Sequence, residues 1–217
     1  GIRICEGYGL TETAPVTNWV RPQEERRGVV GRPLDGVEEV IIDPESGKQL
    51  DAGRDGEIRI RGDNVMVGYY KDAEATSAAF DDNGFFRTGD MGRISKDGFL
   101  SITGRIKEML IIGGENVFPR EIEDVIRQHP AVLDAAVIGM ADSMRGEVPL
   151  AFVELIEGVQ ADPVEIRQFC RGSLSGFKVP REVRIVEALP RNPTGKIQRR
   201  RLSADTPGRE EPTHAES

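Results

Sequence analysis

The sequence has few cysteines and no long hydrophobic run. Its 217 residues include two cysteines, Cys5 and Cys170, which lie far apart and outside any Cys-x-x-Cys or Cys/His cluster. This spacing argues against a structural zinc site and is typical of ordinary thiols in a reducing cytosol. No apolar stretch approaches the roughly 20 residues of a membrane span, so we expect no integral membrane segment and a cytoplasmic protein.

Basic residues are also in deficit. The chain has 29 Lys and Arg residues against 37 Asp and Glu residues, and its net charge is −8. Nucleic-acid binding needs a basic surface, so we expect no nucleic-acid partner. A single bound nucleotide is still compatible with this charge, because a few local cations suffice for one phosphate group.

The first half of the sequence is rich in predicted strands. Residues 37–43 are a strand candidate closed by a Pro-Glu-Ser-Gly turn, and residues 57–61 alternate with period two. Asp72 is placed to cap a short helix over residues 72–80. Two glycine-containing turns lie at residues 82–84 and 97–98. Many short strands with such turns predict a small barrel or curled sheet.

The second half changes character after Arg105. Residues 108–112 are an apolar strand candidate, Pro119 opens a predicted helix, and Asp162 with Pro163 opens another. Further apolar strand candidates lie at residues 132–138, 149–155 and 183–186. Strands that alternate with helices predict a compact module with both kinds of element.

These patterns predict a mixed α+β fold with two domains. We expect a β-rich, barrel-like subdomain over residues 1–106 and a small α+β domain over residues 107–203. Residues 204–217 are polar and contain Pro, Gly and Glu, which predicts a disordered tail.

Residues 7–12, Gly-Tyr-Gly-Leu-Thr-Glu, combine groups that suit a nucleotide. The glycines allow a backbone to approach a ligand closely. Tyr8 offers a flat face for a base, Thr11 a hydroxyl for a phosphate oxygen, and Glu12 a hard oxygen ligand for Mg²⁺. A glycine-rich turn after a strand explains the same residues equally well.

Two other polar residues stand at the ends of glycine-containing runs. Asp90 closes Arg-Thr-Gly-Asp at 87–90, where a carboxylate can accept hydrogen bonds from ribose hydroxyls. Lys196 closes Asn-Pro-Thr-Gly-Lys at 192–196, where a loop cation can neutralise charge that develops in a transition state. The simpler alternatives are a turn aspartate and a solvated lysine, and a basic run at 104–108 is by itself typical of a solvated face.

The order of these segments is more informative than any one of them. They are Tyr-Gly-Leu-Thr-Glu at 8–12, Arg-Thr-Gly-Asp at 87–90, Gly-Arg-Ile-Lys-Glu at 104–108 and Pro-Thr-Gly-Lys at 193–196. In order and spacing they resemble the adenylate-forming superfamily of acyl-CoA synthetases, luciferases and peptide-synthetase adenylation domains. Residues 107–119 are most similar to bacterial medium- and long-chain fatty acyl-CoA synthetases, and the resemblance covers nearly all of residues 1–202.

The resemblance implies roles for the first segment. It implies that Tyr8, with Gly9 beside it, stacks on adenine and that Thr11 touches the α-phosphate. It also implies that Glu12 helps to hold Mg²⁺, so that Thr11 and Glu12 take part in catalysis.

Roles for the later segments follow in the same way. The resemblance implies that Asp90 binds the ribose hydroxyls and that Arg105 binds near the ribose and phosphate. Lys107 matches the hinge between a large domain and a small lid domain. Gly114 matches a glycine that lines the pantetheine tunnel, and Lys196 matches the lysine that supports adenylate formation.

The implied reaction uses ATP, Mg²⁺, a carboxylic acid and CoA. The acid is first joined to AMP, with release of pyrophosphate. The lid domain then swings about the hinge, and the thiol of CoA attacks the acyl-AMP. A fatty acid is the expected substrate, and a carrier protein in place of CoA is an open alternative.

The sequence departs from the family pattern at its start. The Ser/Thr/Gly-rich phosphate loop of the family should precede the Tyr-Gly segment, yet only seven residues stand before Tyr8, and the first of them is not methionine. From this we expect a truncated product, a fragment, or one half of a split enzyme that needs a complementary N-terminal half. A non-catalytic remnant that binds a nucleotide or a partner is the alternative from another functional class.

Overall fold

The structure is a computed structural model that describes residues 4–24 and 26–208. The chain divides into two compact units, Gly1–Lys107 and Glu108–Ser217. Each unit has a hydrophobic core of its own. Both units combine strands with short helices, which confirms the mixed α+β class.

The first unit contains two antiparallel sheets. The smaller has the order β1 (Gly7–Tyr8), β2 (Asn18–Trp19), β3 (Arg32–Pro33). The larger has the order β4 (Val37–Ile42), β5 (Gly56–Gly62), β6 (Phe86–Ile94), β7 (Leu100–Arg105). In the described part of the chain β4 and β7 do not pair with each other, so the strands form open sheets instead of the closed barrel that their number and turns suggested.

The larger sheet of this unit buries one face. Its core is formed by Ile41, Ile58, Ile60 and Leu100. Helix α1 (Ala73–Ala79) follows β5, and the Asp72 carboxylate accepts a hydrogen bond from the backbone N–H of Ala75 at 2.9 Å. The predicted strands at 37–43 and 57–61 and the capped helix at 72–80 are therefore confirmed.

The second unit is built on a five-stranded sheet. Two hairpins supply four strands, β8 (Leu110–Ile112) with β9 (Glu115–Val117) and β10 (Val132–Asp142) with β11 (Gly146–Leu155). The fifth strand, β12 (Glu182–Val186), runs parallel to β11. Helices α2 (Pro119–Ile126) and α3 (Pro163–Arg171) begin at the predicted prolines, and Asp162 caps α3 by accepting from the N–H of Glu165 at 2.8 Å.

Both faces of the central strand β11 are covered. Ala151 and Val153 pack in the cluster that contains the inward side chains of α2 and α3. Leu150 and Phe152 pack on the other face in a cluster with Leu189 and Leu202. Because both faces are buried, this antiparallel hairpin strand has a continuous apolar run instead of an alternating pattern. The chain on either side of Lys196 thus forms the second layer over the sheet.

The end of the described chain lies against β12. Arg184 donates hydrogen bonds to the carbonyl oxygens of Ala204 and Thr206 at 2.6 and 2.7 Å. The remainder of the predicted tail, residues 209–217, lies outside the described residues.

Candidate functional site

Three of the candidate segments meet at the carboxylate of Asp90. The hairpin of β6 and β7 places Asp90 directly opposite Arg105, and Arg105 Nε lies 3.0 Å from Asp90 Oδ1. The Tyr8 hydroxyl donates a hydrogen bond to Asp90 Oδ2 at 2.7 Å from a position 82 residues away in sequence. Asp90 is only 5% exposed. The structure therefore brings Tyr8, Asp90 and Arg105 together.

Burial and charge keep the Tyr8 hydroxyl protonated. Burial raises the pKa of the Tyr8 hydroxyl well above its usual value, and the charge of Asp90 and the hydrogen bond to it raise that pKa further. Tyr8 is therefore a donor at any physiological pH. Each oxygen of a carboxylate has two lone pairs, so Asp90 retains acceptor capacity for further hydroxyl groups.

The loop after Tyr8 is closed by contacts of its own. A Cβ atom at Gly9 would lie 1.9 Å from the carbonyl oxygen of Pro15, so Gly9 is required because the returning chain passes very close. Within the same loop, Thr11–Thr13 forms a short 3-10 helix. Thr13 is buried and its hydroxyl contacts both the N–H and the carbonyl of Leu10, at 2.9 and 3.0 Å.

Glu12 is held from the segment that precedes α1. The backbone N–H of Met66 donates to the Glu12 carbonyl at 2.8 Å, and the Tyr69 hydroxyl donates to Glu12 Oε1 at 3.1 Å. Thr11, the residue before it, is exposed. Within the described ranges, no group of three or more His, Cys, Asp or Glu side chains is placed to hold a metal ion. One carboxylate is nevertheless enough for Mg²⁺ when phosphate oxygens supply the other ligands.

Lys196 lies at the end of a tight loop in the second unit. Asn192 Oδ1 accepts hydrogen bonds from the backbone N–H groups of Thr194 and Lys196, at 3.0 and 2.8 Å. Gly195 has a φ of +83°, a conformation that favours glycine. The Lys196 residue itself is exposed, so the loop fixes the backbone and leaves the ammonium group accessible.

An ion pair with a buried carboxylate anchors the chain just after this loop. Arg199 Nε and Nη2 donate to the two carboxylate oxygens of Glu123 at 2.8 and 2.6 Å. Glu123 is 1% exposed and also accepts from the N–H of Val137 at 2.8 Å. Arg199 Nη1 reaches Glu108 at 3.0 Å. This clamp ties the lysine loop to α2, to β10 and to the residue that follows Lys107.

Two candidate residues lie elsewhere. Lys107 is exposed in a 3-10 turn over Ile106–Glu108. Gly114 is exposed in the β8–β9 turn with a φ of +87°, and a Cβ atom there would meet nothing within 4 Å. Within this unit, backbone conformation and not crowding explains the glycine.

Sequence reasoning did not single out the side chains that hold the candidates in place. Tyr69 supports Glu12, and Arg199 with Glu123 supports the lysine loop. Arg199 stands three residues after Lys196, but its partner is 76 residues away in sequence. No pattern within a short stretch of sequence predicts such a pair.

A shallow pocket of about 420 Å³ lies beside α3 in the second unit. It is lined by His129, Asp162, Val164, Glu165, Gln168 and Phe169. None of the candidate residues belongs to it.

Across residues 4–24 and 26–208, no helix has the length and apolar character that crossing a bilayer requires.

Two protein-family models match the chain. One, described as AMP-binding enzyme, matches residues 1–70. The other, described as AMP-binding enzyme C-terminal domain, matches residues 121–196. One match therefore falls in each unit.

Similar proteins give the same assignment. The sulfoacetate–CoA ligase of Cupriavidus necator is 41% identical over 93% of this chain and 40% of its own length. The long-chain-fatty-acid–CoA ligase of Bacillus subtilis is 39% identical over 93% of this chain and 36% of its own length. The ATP-bound crystal structure of MatB from Rhodopseudomonas palustris superposes with a TM-score of 0.85 at 40% identity, over 91% of this chain and 39% of MatB.

These matches define the class of protein. The chain belongs to the adenylate-forming, AMP-binding enzymes. Within that family it corresponds to the C-terminal part of proteins related to acyl-CoA ligases. It spans about two fifths of the length of the relatives it matches, between 36 and 40% for these three.

Proposed function

We propose that this chain supplies the adenosine-binding residues and the loop lysine of an ATP-dependent, AMP-forming carboxylic acid–CoA ligase. The observation that carries the proposal is the convergence of Tyr8 and Arg105 on the buried carboxylate of Asp90. The names of the relatives, a sulfoacetate–CoA ligase and a long-chain-fatty-acid–CoA ligase, support the reaction class. The ATP-bound state of MatB supports the nucleotide.

In the first half-reaction, a carboxylate oxygen of the acid bonds to the α-phosphorus of ATP and pyrophosphate leaves. Tyr8 with Gly9 packs on the adenine, Asp90 accepts hydrogen bonds from the ribose hydroxyls, and Arg105 lies near the ribose and phosphate. Thr11 offers its hydroxyl to the α-phosphate. Lys196 neutralises charge between the two anions, where one contact at 4 Å provides about 4 kcal/mol at an effective dielectric constant of 20.

Glu12 is the residue that would hold Mg²⁺. Magnesium sites in nucleotide enzymes commonly use one or two carboxylates together with phosphate oxygens, and the support of Glu12 by Tyr69 and Met66 favours such a role. When bound, the ion offsets negative charge on the phosphates.

In the second half-reaction, the thiol sulfur of CoA bonds to the acyl carbon and AMP leaves. We propose that the second unit turns about Lys107 between the two steps, which removes Lys196 and brings the Gly114 turn to the pantetheine arm. Hinged lids of this kind commonly separate the steps of an enzyme reaction.

A fatty acid is the substrate that we propose. The resemblance of residues 107–119 to medium- and long-chain fatty acyl-CoA synthetases supports it. The relatives that match this part of the chain carry substrates as different as sulfoacetate and long-chain fatty acids in their names, so a panel of acids decides the question.

The test separates the two half-reactions in the ligase that is proposed to contain this chain. Lys196→Ala is expected to lower pyrophosphate release from ATP and acid by at least 100-fold, and to leave thioester formation from supplied acyl-AMP within about threefold of the wild type. Lys48→Ala, another exposed lysine in a glycine turn, is the matched control and should leave both rates unchanged. An equal loss of both half-reactions would contradict the role of Lys196.

A further inference from the structure

A carboxylate lies on the core side of the larger sheet in the first unit. Glu39 is on β4 next to Glu38, which is exposed and forms an ion pair with Arg61 on the opposite face. In the pairing of β4 with β5, Glu39 stands opposite the fully buried Ile60. Side chains alternate between the two faces of a strand, so a position on the core face is expected to hold an apolar side chain. An acid at this position therefore needs a physical explanation.

The Glu39 carboxylate has only one polar partner. Its Oε2 accepts a hydrogen bond from Asn18 Nδ2 at 3.0 Å. Its Oε1 is buried and has no hydrogen-bond partner, and no Lys or Arg within the described residues pairs with it. An ionised carboxylate in such a place lacks compensation. Burial accordingly raises the pKa of Glu39 to about 7, although the hydrogen bond from Asn18 opposes that effect.

A chain of hydrogen bonds connects Glu39 to the nucleotide cluster. Asn18 Oδ1 accepts from the Thr17 hydroxyl at 2.7 Å. The backbone N–H of Thr17 donates to the carbonyl oxygen of Tyr8 at 2.8 Å, and the Thr17 hydroxyl lies 3.2 Å from the same oxygen. Tyr8 in turn donates to Asp90. Thr17 and Asn18 are fully buried, so a continuous hydrogen-bonded path inside the protein connects Glu39 with Tyr8.

We propose that protonated Glu39 is a positioning residue, which holds Tyr8 and Asp90 in their nucleotide-binding arrangement through Asn18 and Thr17. The inference rests on the proposed nucleotide site. Loss of the proton puts an uncompensated negative charge behind Tyr8, whose hydroxyl already faces the charge of Asp90. From β1 the titratable group that faces Glu39 is Tyr8, while Asn18 on β2 and Ile60 on β5 are neutral. Nucleotide affinity therefore decreases as the pH rises through neutrality.

The experiment is a calorimetric titration of AMP into the protein between pH 6.5 and 8.5. Wild-type affinity is expected to fall about 25-fold across this range, because the binding-competent protonated fraction decreases. Glu39→Gln keeps the shape of the neutral acid and should hold its affinity constant within about twofold. Glu38→Gln, one residue away on the exposed face, is the control and should follow the wild type.

The outcomes separate this inference from the proposed function. If Glu39→Gln loses affinity with pH in parallel with the wild type, the role of Glu39 is wrong and the nucleotide site stands. If the wild type binds no AMP at any pH, the proposed function itself fails. Melting curves establish that each variant is folded, and if Glu39→Gln is not, Asn18→Ala carries the test. Because Asn18 links Glu39 to Thr17 and Tyr8, its loss should flatten the pH dependence of AMP affinity. A pH dependence equal to that of the wild type would overturn the inference.

Discussion

Asp90 gains its chemical character from two residues, Arg105 on the paired strand and Tyr8, which is 82 residues away in sequence. An isolated aspartate after a glycine is most often a turn residue that bonds its own backbone. Here the side chain is buried, and it is approached by a neutral hydroxyl on one oxygen and by a guanidinium on the other. These two contacts orient the carboxylate, which is the requirement for an acceptor of two ribose hydroxyls.

The protonation of Glu39 should also affect the free energy of unfolding. Its pKa rises from the usual 4.5 to about 7 in the folded protein. Between these values the native state binds more protons than the unfolded state, so the contribution to stability is complete below pH 4.5 and is lost as the pH rises to 7. Chemical denaturation measures the free energy of unfolding at pH 5 and at pH 8. From the lower to the higher pH, that of Glu39→Gln should rise by about 2 kcal/mol relative to that of the wild type. A difference that does not change with pH would contradict the shifted pKa of Glu39.

At the scale of elements, the loop that carries Lys196 is fixed at both ends. Arg191, before the loop, reaches Asp134 at 2.8 Å and the carbonyl of Gly195 at 3.2 Å. Arg199, after it, makes two parallel hydrogen bonds to Glu123. A lysine on such a loop enters a reaction site with little loss of backbone entropy, while its own side chain stays free to move.

Replacement of Arg199 by lysine tests this anchoring. Lysine retains the charge but cannot form the two parallel bonds to Glu123, so the buried carboxylate loses part of its compensation. We expect Arg199→Lys to destabilise the second unit by about 1–3 kcal/mol and to slow adenylate formation more than thioester formation. Thermal melting and the two half-reaction assays measure these effects. Arg200→Lys, at the exposed neighbouring position, should change neither, and equal behaviour of the two variants would show that the clamp has no role.

The elements themselves were largely predictable because their signals are local. The cap at Asp72, the proline starts of α2 and α3, and the apolar runs of β10 and β11 are all visible in short windows of sequence. The open form of the first sheet was not, because closure depends on whether β4 meets β7. The clamp at Arg199 and the unpartnered Oε1 of Glu39 could not be predicted either, since both depend on contacts between residues far apart in the chain.

At the scale of the whole molecule, the candidate residues are divided between two units. Tyr8, Glu12, Asp90 and Arg105 belong to the first unit, and Gly114 and Lys196 belong to the second. The order of these segments along the sequence indicated the family and the role expected of each segment. No single segment would have been enough. This division is compatible with the proposed two-step reaction. In that reaction the first unit holds the nucleotide, and the second unit presents Lys196 in one step and the Gly114 turn in the other.

The most direct test of this account is calorimetric binding of a non-hydrolysable acyl-AMP analogue to the wild-type protein and to Asp90→Asn. The account predicts one tight site per chain and a loss of affinity of about 10- to 100-fold in Asp90→Asn, because a charged acceptor for the ribose hydroxyls is worth about 1.5–3 kcal/mol. Equal affinity of the two proteins for the analogue, with Asp90→Asn folded, would contradict the central claim that Asp90 organises a nucleotide site.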